Sequence, residues 1–120
     1  MVLVDTSVWI NHFRARERKL SELLEHEEVL VHSFVIGELA CGNLANWKRI
    51  VALLHALPFA PRADDDEILF FIERHRVMGC GIGLIDAHLL ASCELAGSVL
   101  WSADKKLQAV ANNLKMATQP

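Results

Sequence analysis

Five short apolar runs punctuate this chain, and between most of them lies at least one stretch of helical periodicity. The runs are residues 1–5, 28–32, 57–60, 98–101 and a last edge piece at 115–117. The first, Met1-Val2-Leu3-Val4-Asp5, is continuously apolar up to its final acid, the character of a strand covered on both faces. Helical patterns fill the intervals. Thr6 or Ser7 is placed to cap a helix carrying Val8, Trp9, Ile10 and Phe13, and residues 16–26 put Leu20, Leu23 and Leu24 on one side. Ser33 is placed to cap a helix to about residue 43, a second spans 45–56, and a third runs from Asp64 to Val77. Residues 84–95 and 102–114 complete the set. Strands separated by helices imply an α/β fold of three layers, with a mostly parallel central sheet, helices on both faces and right-handed crossovers. In such sheets ligands bind beyond the carboxyl ends of the strands.

A chain of 120 residues with 52% hydrophobic content is the size of one domain with one core, and no repeat, linker or low-complexity segment divides it. One domain, 1–120, is expected. No run of eighteen apolar residues is present, and the N-terminus lacks the pattern of a signal peptide, so the expectation is a cytoplasmic protein without a membrane span. Cys41, Cys80 and Cys93 form no close pair and read as reduced, mostly packed thiols.

Four carboxylates stand where one kind of local structure gives way to another. They are Asp5 after Val-Leu-Val, Glu38 in Val-Ile-Gly-Glu-Leu-Ala, Asp86 in Gly-Leu-Ile-Asp-Ala-His, and Asp104 in Trp-Ser-Ala-Asp-Lys-Lys. Each has apolar neighbours, and removing a carboxylate from water costs several kcal/mol unless a counter-charge compensates. If the fold gathers them, they need a cation. Carboxylates prefer the hard ions Mg²⁺ and Mn²⁺, whose usual substrates in such sites are phosphate esters. Individually the acids have plainer explanations: Asp104 and Asp86 would complement helix dipoles, and Glu38 would sit on an exposed helix face. Asp64, Asp65, Asp66 and Glu67 are read as the acidic first turn of their helix and left out of the site. Gly79, Gly81 and Gly83 follow a helix instead of a strand, so they carry no nucleotide-binding weight.

The net charge of −3 runs against polyanion binding, but two divalent ions would add +4 and bring it to about +1. Cationic side chains also occur in groups: Arg14, Arg16, Arg18 and Lys19; Lys48 and Arg49; Arg74 and Arg76; Lys105 and Lys106. Several of these around one acidic cleft would form a phosphate-tracking rim. His12, His32, His75 and His88 show no pattern joining a nucleophile to a base, and only His12 is close enough to Asp5 in sequence to be worth locating. Trp9, Phe13, Phe70, Phe71 and Trp101 read as core or dimer surface ahead of base-stacking platforms.

Taken in order, Val4-Asp5-Thr6-Ser7-Val8-Trp9-Ile10, Gly37-Glu38-Leu39 with Gly42, Gly81 to Ala91 around Asp86, and Leu100 to Leu107 around Asp104 closely resemble the PIN-domain ribonucleases. Among these the chain is most similar to the VapC toxins of type II toxin–antitoxin systems, over essentially its whole length. The resemblance implies a Mg²⁺- or Mn²⁺-dependent endoribonuclease with Asp5, Glu38, Asp86 and Asp104 as its acidic quartet. It further implies that Thr6 and Ser102 support the site, that RNA is the substrate, that two copies pair as a homodimer, and that a VapB-like antitoxin enters the active-site groove with its C-terminal segment. Two departures stand out: some members carry a further acid where this chain has Lys106, and some have an acid at the position of Asn11.

A phosphodiester hydrolase needs an activated water, neutralisation of charge on the non-bridging oxygens, and a stabilised leaving oxygen, all of which a carboxylate-held metal serves. Asp5 and Asp86 are assigned as principal ligands, Asp104 as ligand or as holder of one, and Glu38 as orienter or general base for the water. The alternatives are a metal-binding interaction module without turnover, and a DNA nuclease or phosphatase using the same carboxylates.

Overall fold

The computed structural model describes residues 1–120. Its sheet has three strands, β1 (Val2–Val4), β2 (Val29–Leu30) and β3 (Val99–Trp101), in the order β2-β1-β3 and parallel throughout. Val2 is in register with Val29 on one side and Val99 on the other. With a neighbour on each side and helices over its faces, β1 is the innermost element, and Leu3 and Val4 are fully buried.

Seven helices connect and cover the strands: α1 (Thr6–Arg14), α2 (Arg18–Glu25), α3 (Ser33–Cys41), α4 (Trp47–His55), α5 (Asp65–His75), α6 (Leu84–Ala96) and α7 (Lys105–Asn113). They pack in two groups. α1 lies on α3 and α3 on α4, while α5 lies on α6, and α6 and α7 both lean on β3. Residues Ala87 to Cys93 of α6 are buried without interruption, as expected of a helix that is apolar nearly all round. This is the α/β arrangement with a parallel sheet that the alternating pattern predicts.

The two outer strands shrink to single bridges. Residue 59 pairs only with Val31, and Ala117 only with Leu100. At the first edge the Val31 N–H donates to the Pro58 carbonyl at 2.9 Å and Ala60 donates back at 2.8 Å. Pro58 and Pro61 flank that contact and have no N–H to extend it. At the other edge Leu100 donates to Met116 and Thr118 to Leu100, and Lys115 immediately before adopts φ 60°, so the chain arrives through a left-handed turn instead of a continuous strand.

Helix starts also differ in detail from the expected caps. Asp5, not Thr6 or Ser7, is the N-cap of α1, His32 rather than Ser33 that of α3, and Asp104 rather than Ser102 that of α7. Each lies one or two residues from the predicted cap, because the strand or loop before it keeps an extended backbone further or less far than hydroxyl preference alone suggests. The acidic start of α5 is as expected: Asp64 accepts from Glu67 N–H at 2.7 Å, and the Glu67 carboxylate accepts from Asp64 N–H at 3.0 Å, a reciprocal capping box. The thiols correct one expectation. Only Cys93 is packed, its thiol pushed up to about 12 by burial, whereas Cys41 and Cys80 are exposed. No helix is long and apolar enough to cross a membrane.

Candidate metal centre

Parallel strands point their carboxyl ends the same way, so the residues that follow them gather at one end of the sheet. Asp5 follows β1, and its N–H donates to the Trp101 carbonyl at 2.9 Å, which carries the strand pairing to the lip of that end. Ser102 and Asp104 follow β3, α3 with Glu38 follows β2, and Asp86 lies in the first turn of α6.

Asp5 is the centre of this group and is 6% exposed. Its Oδ2 accepts from the Ser7 hydroxyl at 2.7 Å and from the Ser102 hydroxyl at 2.8 Å. Those hydroxyls have no proton to spare for anything else, and each accepts a backbone N–H in turn, Ala103 to Ser7 and Asp104 to Ser102, both at 3.0 Å. The Ser102 N–H donates to Gln108 Oε1 at 3.3 Å, so α7 also holds this turn. The network fixes the carboxylate through Oδ2 and leaves Oδ1 without a donor from the protein. The only ion pairs in the molecule are Arg18–Glu22 and His75–Glu94, so none of the four acids is neutralised by a cationic side chain.

Glu38 is tied to the same end by a second hydroxyl: Thr6 Oγ1 donates to Glu38 Oε1 at 2.6 Å, joining the first turn of α1 to α3. Asp104 accepts from the Leu107 N–H at 3.0 Å as the cap of α7. Asp86, half-buried, feels the other three. Its carboxyl is held above the usual carboxylate range first by burial, then by the charges of Asp5, Asp104 and Glu38, with a backbone hydrogen bond at Gly83 working the other way. The expectation of four embedded acids holds fully only for Asp5, since Glu38 and Asp104 are exposed.

Asp5, Asp104 and Glu38 therefore all bear on the charge of Asp86 at one end of the sheet, yet no three His, Cys, Asp or Glu side chains are drawn together closely enough to close on a single ion. These two facts are compatible. Like charges 4 Å apart repel by about 4 kcal/mol at an effective dielectric near 20, and Asp5, Glu38 and Asp104 are each turned towards a hydrogen-bond donor. The donor set is all oxygen, anionic and without an internal counter-charge, which fits Mg²⁺ or Mn²⁺ and not a soft, thiolate-seeking ion.

The histidines stand apart from this chemistry. His12 accepts from the Glu17 N–H and packs against Trp9 and Phe13. His32, fully buried, is lowered to about 4 by burial first, then by His88 and Arg62. His88, two residues beyond Asp86, packs edge-on to Phe34 with centroids 4.9 Å apart. His75 pairs with Glu94. Of the aromatics, Trp9 and Phe71 are core, while Phe70 is 64% exposed.

Ser7 and Gln108 are parts of the site that sequence reasoning passed over. Ser7 was visible as a hydroxyl two residues after an acid, a local pattern that favours a short side-chain bond, but Gln108 has no such signature. Beside Glu38 opens a groove of about 510 Å³ lined by Ile10, Phe13, Arg14, Leu44 and Ile50. Of the cationic groups, Arg14 lies in this groove and Lys105 and Lys106 open α7 next to Asp104. Arg74 instead lines a cleft between α5 and α6, and Arg18 is paired with Glu22.

Comparison with known proteins agrees with the geometry. The family model described as "PIN domain" matches residues 2–113. Ribonuclease VapC32 of Mycobacterium tuberculosis, in two strains, is 44% identical over 110 residues, covering 91% of this chain and 89% of its own. Among solved structures, FitAcB from Neisseria gonorrhoeae superposes with a TM-score of 0.63 at 15% identity, covering 93% of this chain and 94% of that one. PAE2754 from Pyrobaculum aerophilum gives 0.60 at 18% identity, covering 91% and 78%. At such identities these two speak to the fold.

Proposed function

The chain belongs to the PIN-domain family, and from that membership we propose that it is a divalent-metal-dependent endoribonuclease, the toxin of a VapBC-type pair, hydrolysing RNA phosphodiester bonds at Asp5, Glu38, Asp86 and Asp104. The observation that carries the reading is the buried Asp5 carboxylate, pinned by Ser7 and Ser102 through one oxygen and left without any cationic partner among three further acids. A fold that burdens itself with that repulsion has a use for a cation there. The similarity to a protein named as a ribonuclease supports RNA as the substrate.

Asp5, Asp86 and Asp104 would hold the ion. When bound, it supplies positive charge to the scissile phosphate and makes a nearby water more acidic. Asp5 offers Oδ1, because the two serines occupy Oδ2 and prevent the carboxylate from rotating away. Asp86 presents its carboxyl from the first turn of α6, where burial and the neighbouring acids disfavour its charge, so a bound cation would favour the ionised form. Glu38, exposed and accepting from Thr6 at Oε1, would align the attacking water and take its proton. Thr6 and Ser102 thus act through the acids they hold. The groove beside Glu38, with apolar walls and Arg14, is where the C-terminal segment of a VapB-like antitoxin would block access. A homodimer is the expected free form.

The test compares the wild type with Asp5→Asn and Asp86→Asn on defined single-stranded RNA, single-stranded DNA and a phosphomonoester, with Mg²⁺ or Mn²⁺ and with chelator. RNA cleavage that needs the ion and falls at least about 100-fold in both variants is expected. Undiminished cleavage by Asp5→Asn, or cleavage in chelator, would refute the assignment. Preference for DNA or for the phosphomonoester would move the same carboxylates to another substrate.

A further inference from the structure

Lys106 is in a position that local helix energetics disfavour. It is the second residue of α7, directly after Lys105, and no acid occupies that first turn. Cations at a helix N-terminus oppose the macrodipole, typically by a few tenths of a kcal/mol or more. Two in succession call for a compensating contact, yet Lys106 forms no ion pair. Its charge is therefore not spent on the acids beside it.

Its stem, in contrast, has a defined seat. The side chain lies across the backbone of Gly81, where a Cβ would come within 3.2 Å of Lys106 Cδ and 3.7 Å of both Cε and Nζ. Gly81 has φ +80°, a conformation that glycine adopts without strain, so this residue supplies both the turn and the room for the lysine. The contact joins the loop that leads to Asp86 with the helix that Asp104 caps. Lys106 thus carries an exposed, unpaired ammonium where the loop leading to Asp86 meets the helix that Asp104 caps, at the edge of the candidate site.

We propose that Lys106 binds a phosphate of the RNA at that edge and offsets the approach of a polyanion to a pocket of like charge, an inference that rests on the endoribonuclease reading above. For a single strand each phosphate contact contributes about 0.7 to the slope of log affinity against log salt, so removing one contact costs about fivefold at 0.1 M salt. An ammonium that only filled space over Gly81 would alter neither the slope nor its dependence on charge.

The measurement is RNA affinity as a function of salt, made in a Glu38→Gln background with Mg²⁺ so that turnover is slowed, together with KM and kcat in the otherwise wild-type chain. Lys106 is exposed, so its replacement leaves the core intact. Lys106→Ala is expected to weaken RNA binding about fivefold at 0.1 M salt, flatten the slope by about 0.7, and raise KM more than it lowers kcat. Lys106→Arg should restore both affinity and slope. An unchanged slope in Lys106→Ala, or a Lys106→Arg that behaves like Ala, overturns the proposal for this lysine while leaving ion-dependent cleavage in place. Loss of the underlying reading would look different, as wild-type protein that does not cleave RNA with either ion.

Discussion

Ser102 shows how a site is built one atom at a time. Its single proton goes to Asp5 Oδ2, its oxygen takes the Asp104 N–H, and its own N–H goes to Gln108. One buried hydroxyl therefore links two of the four acids and the helix behind them. Hydrogen bonds to charged groups are worth about 1.5–3 kcal/mol, and a buried acceptor that loses its donor carries the desolvation cost. Ser102→Ala is expected to lower stability by about 2 kcal/mol, seen as a shifted midpoint in urea unfolding, and to weaken RNA cleavage through a less fixed Asp5. A midpoint within error of wild type would mean that Ser7 alone holds the carboxylate. The sequence made Ser102 a supporting residue through its motif, but not its partners. Its partner Asp5 lies 97 residues away, a separation that no local pattern encodes.

At the scale of elements, Asp104 has two duties that substitution separates. As the N-cap of α7 it accepts from Leu107 N–H, and as a charge it acts on Asp86. Asparagine caps helices about as well as aspartate, whereas alanine at a cap costs about 1 kcal/mol. Asp104→Asn should thus keep wild-type thermal stability and lose most of its cleavage, while Asp104→Ala loses cleavage and also melts several degrees lower. Circular-dichroism melts beside RNA cleavage assays decide this, and a full-activity Asp104→Asn would reduce the residue to a cap. The helices of this protein were legible because their apolar stripes repeat over nine or more residues in most cases. The edges of the sheet were less so: residues 57–60 and 115–117 have strand-like composition, but Pro58, Pro61 and the left-handed Lys115 limit each to one bridge. Strand formation there depends on a partner's backbone, which composition does not report.

For the whole molecule the balance of charge is the controlling quantity. Asp86 binds its proton more tightly folded than unfolded, because burial and three neighbouring acids disfavour its charge. The stability it contributes is therefore fully present below its ordinary value of 3.8 and is lost as pH rises through the elevated folded value. A divalent ion reverses the sign by favouring the ionised form, so its binding strengthens with pH. Differential scanning fluorimetry should show a Mg²⁺- or Mn²⁺-induced rise in Tm that is larger at pH 8 than at pH 5 and that disappears in Asp5→Asn. At a hundredfold excess over Kd the gain amounts to about 2.7 kcal/mol. A rise retained in Asp5→Asn would place the ion elsewhere.

The sequence by itself determined the alternation of strand and helix, hence a parallel sheet with one functional end, and the four acids in their motifs, because both are written in short-range spacing and side-chain chemistry. Only the tertiary structure decided that Asp5 alone is deeply buried, that Ser7 and Gln108 join its support, that Asp104 is itself a cap, and that Lys106 rests on Gly81. Those outcomes depend on which distant segments the sheet brings side by side, and burial and hydrogen bonding are properties of that meeting, not of either segment alone.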